Sequence, residues 1–293
     1  MEKRLFGKTC FKISPLGLGT WVFGGWPWNE VSEAECEKTI EKALSLGINL
    51  IDTAPFYGFG RAEEIVGQTL KRLKKREEVV LATKAGLCWE KGKKKKAWRD
   101  VSKKNILREI DESLKRLQTE WIDIYQIHWP DEKTEIGETM EAMFELKECG
   151  KIKVIGVSNF SAEQMRECLK YAPLESLQAP YNYFQREIEK EILPFCIENN
   201  IGVLSYGTLR KGLLTGKFNL ENRPNDPVRQ PAWDPMFAPE NYSKCLKEIE
   251  ELKIKADEKN IPLAQWVIEW TLEQPGITCA LAGARNASQL THL

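Results

Sequence analysis

Eight short apolar runs alternate with amphipathic helical stretches along the 293 residues. Most of these runs end in, or hold near their end, a polar side chain. No G-x-G-x-x-G stands in a strand-to-helix turn. The alternation predicts an α/β chain, and the polar strand ends suit a barrel that carries chemistry at one mouth. The missing glycine fingerprint argues against a doubly wound open sheet. The expected architecture is a single-domain (β/α)8 TIM barrel over residues 1–293.

The run at 14–19 (S-P-L-G-L-G) is the weakest strand, because its glycines also suit a loop. Residues 50–51 lead into Asp52, 79–83 into Lys84, 122–127 into His128 and 154–158 into Asn159. Runs at 176–179, 202–206 and 277–282 complete the set. All are short and rich in branched apolar residues, as strands buried on both faces require. Helical spacing is found at 33–46, 102–117, 135–147, 161–171, 188–200 and 262–273. Ser32 with Glu35 reads as a capping box, Ser102 as an N-cap, Gly150 as a helix end and Pro262 as a first-turn residue.

Two connections are long, about 85–101 and 209–239. The first holds Lys91, Lys93, Lys94, Lys95 and Lys96, which reads as a solvated surface loop, with a phosphate-binding patch as the alternative. The second carries Pro224, Pro227, Pro231, Pro235 and Trp233. Loops of that length are functional lids or disordered segments.

Lys+Arg and Asp+Glu are both 43, so the formal charge is zero. That balance excludes a broad nucleic-acid or membrane footprint. The uncharged stretch 13–29 is broken by glycines and two prolines, so it is no bilayer span. The N-terminus mixes both charge signs ahead of any apolar run, unlike a signal peptide. The eight cysteines are scattered without a C-x-x-C pair, as in a reduced cytoplasmic protein. With only His128 and His292 available, no metal site is expected. The oligomeric state is left open.

In this barrel class active sites lie at the C-terminal ends of the strands. The residues there are Asp52, Lys84, His128, Ser158, Asn159, Gln178 and Tyr206, with Tyr57 in the turn after Asp52. A phenol of pKa ~10 is a weak acid at neutral pH. A nearby ammonium stabilises its anion and lowers that value, and a carboxylate keeps the ammonium charged and fixed. An imidazole can orient a carbonyl oxygen or help relay a proton. The set makes a proton donor for an oxygen gaining negative charge, as carbonyl reduction requires. No side chain supplies a hydride, so a nicotinamide cofactor is needed.

At these residues the sequence resembles an aldo-keto reductase, and the likeness covers nearly the whole chain. It is carried by L-G-L-G-T-W at 16–21, N-L-I-D-T-A at 49–54 with Tyr57-Gly58, and A-T-K at 82–84. Further matches are I-Y-Q-I-H-W-P at 124–130, I-G-V-S-N-F at 155–160, Gln178, and G-L-L-T-G-K at 212–217. The run G-F-G-R-A-E-E at 58–64 is similar to bacterial-type members.

The resemblance implies an NADP-preferring reductase of small-molecule aldehydes and ketones. It implies a catalytic tetrad of Asp52, Tyr57, Lys84 and His128, with Tyr57 as the acid, Lys84 its pKa modifier, Asp52 the partner of Lys84 and His128 orienting substrate. Ser158, Asn159 and Gln178 would hold the nicotinamide carboxamide, and Tyr206 would stack on its ring. Thr20 and Trp21 would approach the ribose, and Leu209, Lys211 and Gly212 the pyrophosphate. Gly283, Arg285 and Gln289 resemble the adenosine-phosphate grip, and the cationic Arg285 favours NADP(H) over NAD. Thr208 stands where a proline is common. The chain reads L-T-H-L at 290–293 where a Glu-Asn pair is usual, so the last barrel helix is expected to be truncated.

Trp21, Phe23, Trp26, Trp28, Phe56, Trp89 and Trp129 read either as packing or as an apolar pocket for hydrophobic aldehydes. Two other functions compete. One is an NADP-binding regulatory subunit of a partner protein with little turnover, like the β subunits of potassium channels; an intact His128 speaks against it. The other is a metal- or Schiff-base-dependent lyase on Lys84, which wants a neutral amine beside no Asp52.

Overall fold

The computed structural model describes residues 1–90 and 97–293, with His292 by its backbone alone. The lysines of 91–96 therefore lie outside the described residues. The chain opens with an antiparallel pair, β1 (Arg4–Leu5) and β2 (Lys12–Ile13). The barrel begins with β3 (Leu16–Gly19), β4 (Leu50–Asp52) and β5 (Val80–Ala85). A second antiparallel pair follows, β6 (Leu87–Trp89) with β7 (Ala97–Arg99), where a plain loop was expected. The barrel resumes with β8 (Ile122–Ile127), β9 (Ile152–Ser158), β10 (Ser176–Pro180), β11 (Gly202–Tyr206) and β12 (Cys279–Gly283). β12 pairs with β3, so the eight parallel strands close into a (β/α)8 barrel of one domain.

The strand period of two divides each side chain between floor and jacket. Leu50, Val80, Ala82, Ile124, Val154, Leu204 and Leu281 fill the inside. Ile51, Leu81, Tyr125, Ile127, Ile155 and Val203 pack outward against helices. The first hairpin seals one end, since Phe6 and Ile13 join the inner cluster. Gly202 makes room for that seal: a Cβ there would meet the Phe6 ring at 2.5 Å.

The jacket consists of α1 (Glu33–Ser45), α2 (Arg61–Leu73), α3 (Lys103–Leu117), α4 (Ile136–Glu148), α5 (Ala162–Cys168), α6 (Ile192–Glu198), α7 (Pro239–Glu258) and α8 (Leu263–Glu273). Ser161 and Gln164 complete a reciprocal capping box on α5. On α1 only the forward half forms, Ser32 Oγ accepting the Glu35 N–H at 3.3 Å. The helix expected at 188–200 is two pieces, a 3₁₀ turn at Glu187–Glu189 and then α6. α2 and α7 extend the expected set. α7 buries Tyr242, Cys245, Ile249, Leu252 and Ala256, one stripe at spacings of three and four. After β12 the chain ends in a 3₁₀ segment, Ala287–His292, rather than an α-helix. Asn286 starts it by accepting the Gln289 N–H, and Leu290 packs into the outer core. Among the described residues no helix is long and apolar enough to cross a membrane.

Candidate active site

Parallel pairing brings the ends of β4, β5 and β8 side by side, with Asp52 opposite Ala82 and Lys84 opposite Gln126. Lys84 is fully buried. Its Nζ donates to both Asp52 oxygens at 2.9 Å, to the Thr53 carbonyl at 2.9 Å and to Tyr57 Oη at 3.2 Å. Tyr57 arrives on the turn after β4, closed by Gly60 N–H donating to the Pro55 carbonyl at 2.7 Å. Gly58 lies in the left-handed region against the backbone of Gly24, where a Cβ would meet the Gly24 oxygen at 2.3 Å. That close approach anchors the turn beside the barrel mouth.

His128 follows directly on β8, and its N–H donates to the Ala85 carbonyl at 2.9 Å. Its ring stands edge-on to Tyr57, with centroids 6.0 Å apart. Burial and then the Lys84 ammonium hold the imidazole well below its usual pKa, so it is neutral around pH 7. The Tyr57 phenol departs from the expected lowering. Burial and then the Asp52 carboxylate hold it well above its ordinary value. Burial is the larger cause, and the Asp52 carboxylate that engages Lys84 adds to it. In this state the phenol keeps its proton.

A polar wall adjoins this group. Asn159 follows β9 in the left-handed region, and its Nδ2 donates to the His128 carbonyl at 2.9 Å and to Ser158 Oγ at 3.0 Å. Tyr206 Oη donates to Asn159 Oδ1 at 2.8 Å, and burial pushes the Tyr206 phenol up to about 12. Gln178 Nε2 donates to Asp52 Oδ1 at 2.7 Å. Buried Thr20 donates to the Asp52 carbonyl at 3.0 Å, and the Trp21 ring lies 6.3 Å from that of Tyr57. All ten residues expected at the carbonyl and nicotinamide end therefore lie together.

The remaining expected residues collect on the long segment after β11 and on the end of β12. Leu209 precedes a turn in which Lys211 and Gly212 are left-handed. Lys211 Nζ donates to Asp234 at 2.8 Å, and Arg210 does so at 2.9 Å. Arg229 Nε donates to the Lys211 carbonyl at 2.7 Å, and its Nη1 to Asp226 at 2.6 Å. Arg285, two residues after Gly283, pairs with the other oxygen of Asp226, and its N–H donates to Gln289 Oε1 at 2.9 Å. Asn29 N–H also donates to Asp226, at 3.0 Å. Burial pushes the Asp226 carboxyl up, but these donors bring it below its usual value.

Sequence reasoning missed Asp226, Arg229 and Asp234, and quoted Lys217 within G-L-L-T-G-K without giving it a role. The only signal was each aspartate's place before a proline, which marks a turn and nothing more. The connection is thus a packed strap, with Val228 and Phe237 buried.

A family model for the aldo/keto reductases matches residues 15–293. The chain belongs to the aldo/keto reductase family. It is 44% identical over 295 residues to aldo-keto reductase YhdN of Bacillus subtilis, covering all of this chain and 88% of that protein. It is 38% identical over 302 residues to the NADH-specific methylglyoxal reductase of Escherichia coli, covering 99% of this chain and 91% of that one. The solved structure of a glycerol dehydrogenase from Gluconobacter oxydans superposes with a TM-score of 0.91 at 41% identity, covering 99% of this chain and 88% of that chain.

Aldo-keto reductases work with a nicotinamide cofactor. The residues of this reductase fit one. Arg210, Lys211, Arg229 and Arg285 outnumber Asp226 and Asp234, which leaves positive charge for phosphates. Lys217 adds to that surplus; burial and then Arg229 and Arg285 lower its pKa. The Trp28 Nε1 beside this cluster is buried without a partner among the described residues.

Proposed function

We propose that this reductase converts aldehydes and ketones to alcohols with NADPH, using Tyr57 as general acid. The reading is carried by one observation: Tyr57 Oη lies 3.2 Å from an ammonium that two carboxylate oxygens hold, with a neutral imidazole facing the same ring. When bound, the nicotinamide supplies the hydride that no side chain can. The carbonyl oxygen then gains charge and takes the Tyr57 proton. Lys84 stabilises the phenolate left behind, Asp52 keeps Lys84 in place, and His128 orients the oxygen.

Ser158, Asn159 and Gln178 would hold the carboxamide, with Tyr206 against the ring and Thr20 and Trp21 at the ribose. Leu209, Lys211 and Gly212 would serve the pyrophosphate, and Gly283, Arg285 and Gln289 the adenosine phosphate. Arg285 supports NADPH over NADH, a preference opposite to that named for the Escherichia coli relative. The clustered rings of Trp26, Phe56, Phe59 and Trp89, on and beside the turn that carries Tyr57, support bulky hydrophobic aldehydes over free sugars. Eight unpaired thiols suit a reducing compartment, the cytoplasm.

The test follows NADPH absorbance with 4-nitrobenzaldehyde for wild type and Tyr57→Phe. Turnover by wild type alone, with both binding NADPH, is expected. A wild type that binds NADPH yet reduces nothing across a carbonyl panel would hand the site to the regulatory-subunit reading.

A further inference from the structure

Glu109 on α3 takes no part in the chemistry above, yet only 4% of it is exposed. Among the described residues no Lys or Arg lies within ion-pairing distance of it, and neighbouring Arg108 is paired with Glu112 at 3.0 Å. Burial raises its pKa. A carboxylate kept in such a place costs free energy, so its partners are informative.

They lie on the entering strand of the β6–β7 hairpin, at its first foot. Glu109 Oε2 accepts the Gly86 N–H at 2.6 Å, and Oε1 accepts the Cys88 S–H at 3.5 Å. Gly86 is the left-handed pivot between β5 and β6, where a Cβ would meet Val101 at 2.5 Å. One turn earlier on α3, Asn105 Nδ2 donates to Cys88 Sγ at 3.2 Å and to the Asp100 carbonyl at 2.7 Å. The Asp100 N–H returns to the Gly86 carbonyl at 3.1 Å. On the outer strand, Arg99 donates to the Pro130 carbonyl at 3.2 Å and lies over Trp129. The hairpin so fixed presents Trp89, whose ring lies 6.3 Å from Phe56 and 5.6 Å from Phe59, on the turn that carries Tyr57.

We infer that Trp89 is a specificity-determining wall for aromatic carbonyl substrates and that Glu109, out of contact with the mouth, is the positioning residue that holds it there. The inference rests on the proposed carbonyl reduction and says which side chains select the substrate. It is tested by a double-variant cycle on Glu109 and Trp89. The readouts are calorimetric Kd for 4-nitrobenzyl alcohol, and KM and kcat for 4-nitrobenzaldehyde against propanal.

Trp89→Ala is expected to raise Kd and KM for the aromatic ligands by roughly three- to tenfold, the worth of an aromatic contact, and to raise the KM for propanal by less. Glu109→Ala is expected to give the same split, Glu109→Gln to restore it, and the double variant to be no worse than Trp89→Ala. Asn105→Ala loosens the same foot without touching the charge, and serves where Glu109→Ala does not fold.

Additive losses, or equal losses with both aldehydes, would overturn the positioning role. Unchanged aromatic binding in Trp89→Ala, or no alcohol binding by wild type, would overturn the wall. Calorimetry needs no turnover, so an enzyme that reduces nothing defeats the proposed function while the cycle still decides this one.

Discussion

The acid group and the strap both deliver charge to the barrel mouth, by opposite means. Asp52, Lys84 and His128 stand on strand ends fixed by a continuous parallel ladder. The strap has no ladder. Its cations are held by its own buried carboxylates, Asp226 and Asp234, and by turns at Pro227–Arg229 and Pro235–Phe237. The first arrangement suits proton transfer, where small displacements cost rate. The second suits recognition, since exchanging one side chain changes the grip without moving a strand. If so, the two regions are separable by mutation.

The largest expected effect breaks the first region. Tyr57→Phe should lower kcat by on the order of 10²–10⁴-fold in stopped-flow turnover, while cofactor titration by fluorescence stays near wild type. Asp226→Asn strikes the second. It leaves Arg229 and Arg285 without their buried counter-charge, so urea unfolding should show a loss of about 3–5 kcal/mol. Turnover at saturating cofactor should nevertheless persist; a collapse of both would show that strap and acid group are one unit.

Arg285→Ala sharpens the comparison further. Losing a charge-assisted contact of about 1.5–3 kcal/mol should weaken NADPH roughly ten- to a hundredfold while NADH Kd hardly changes. Equal weakening of both would remove Arg285 from cofactor choice.

The smallest effect is a pH slope from His128. Its folded pKa lies below the unfolded value, so the unfolded chain takes up a proton first as pH falls. Stability is complete above about pH 6.5 and declines below it, by at most about 1.4 kcal/mol per pH unit. His128→Gln should flatten that part of the curve in denaturant titrations from pH 7 to 5.

The same contrast explains what the sequence disclosed. Branched runs ending in Asp52, Lys84 and His128 announced both strands and chemistry, because a buried strand leaves little choice of residue. The strap gave no such pattern: Asp226 and Asp234 find their cations through tertiary contacts up to 59 residues away. The β6–β7 hairpin hid for a similar reason, its feet being set by Glu109 and Asn105 on a helix that follows it. α2 went unread because its N-cap Gly60 and first residues, R-A-E-E, sit inside the motif after Tyr57. The pKa of Tyr57 was misjudged because residue types name the charges nearby but not how deeply the phenol is buried.

The seal at the far end of the barrel has its own consequence. Phe6 and Ile13 lie under Leu50, Val80 and Leu204, and Lys8 N–H is fastened to the Asn200 carbonyl at 2.9 Å. Among the described residues this leaves the mouth with Tyr57 and His128 as the open end of the barrel. On the proposed reduction, an alcohol would leave past Trp26, Phe59 and Trp89 before the next aldehyde enters, and product inhibition of turnover would follow. The Lys84 ammonium is fully buried above that seal, so its charge stands in a low-dielectric vessel.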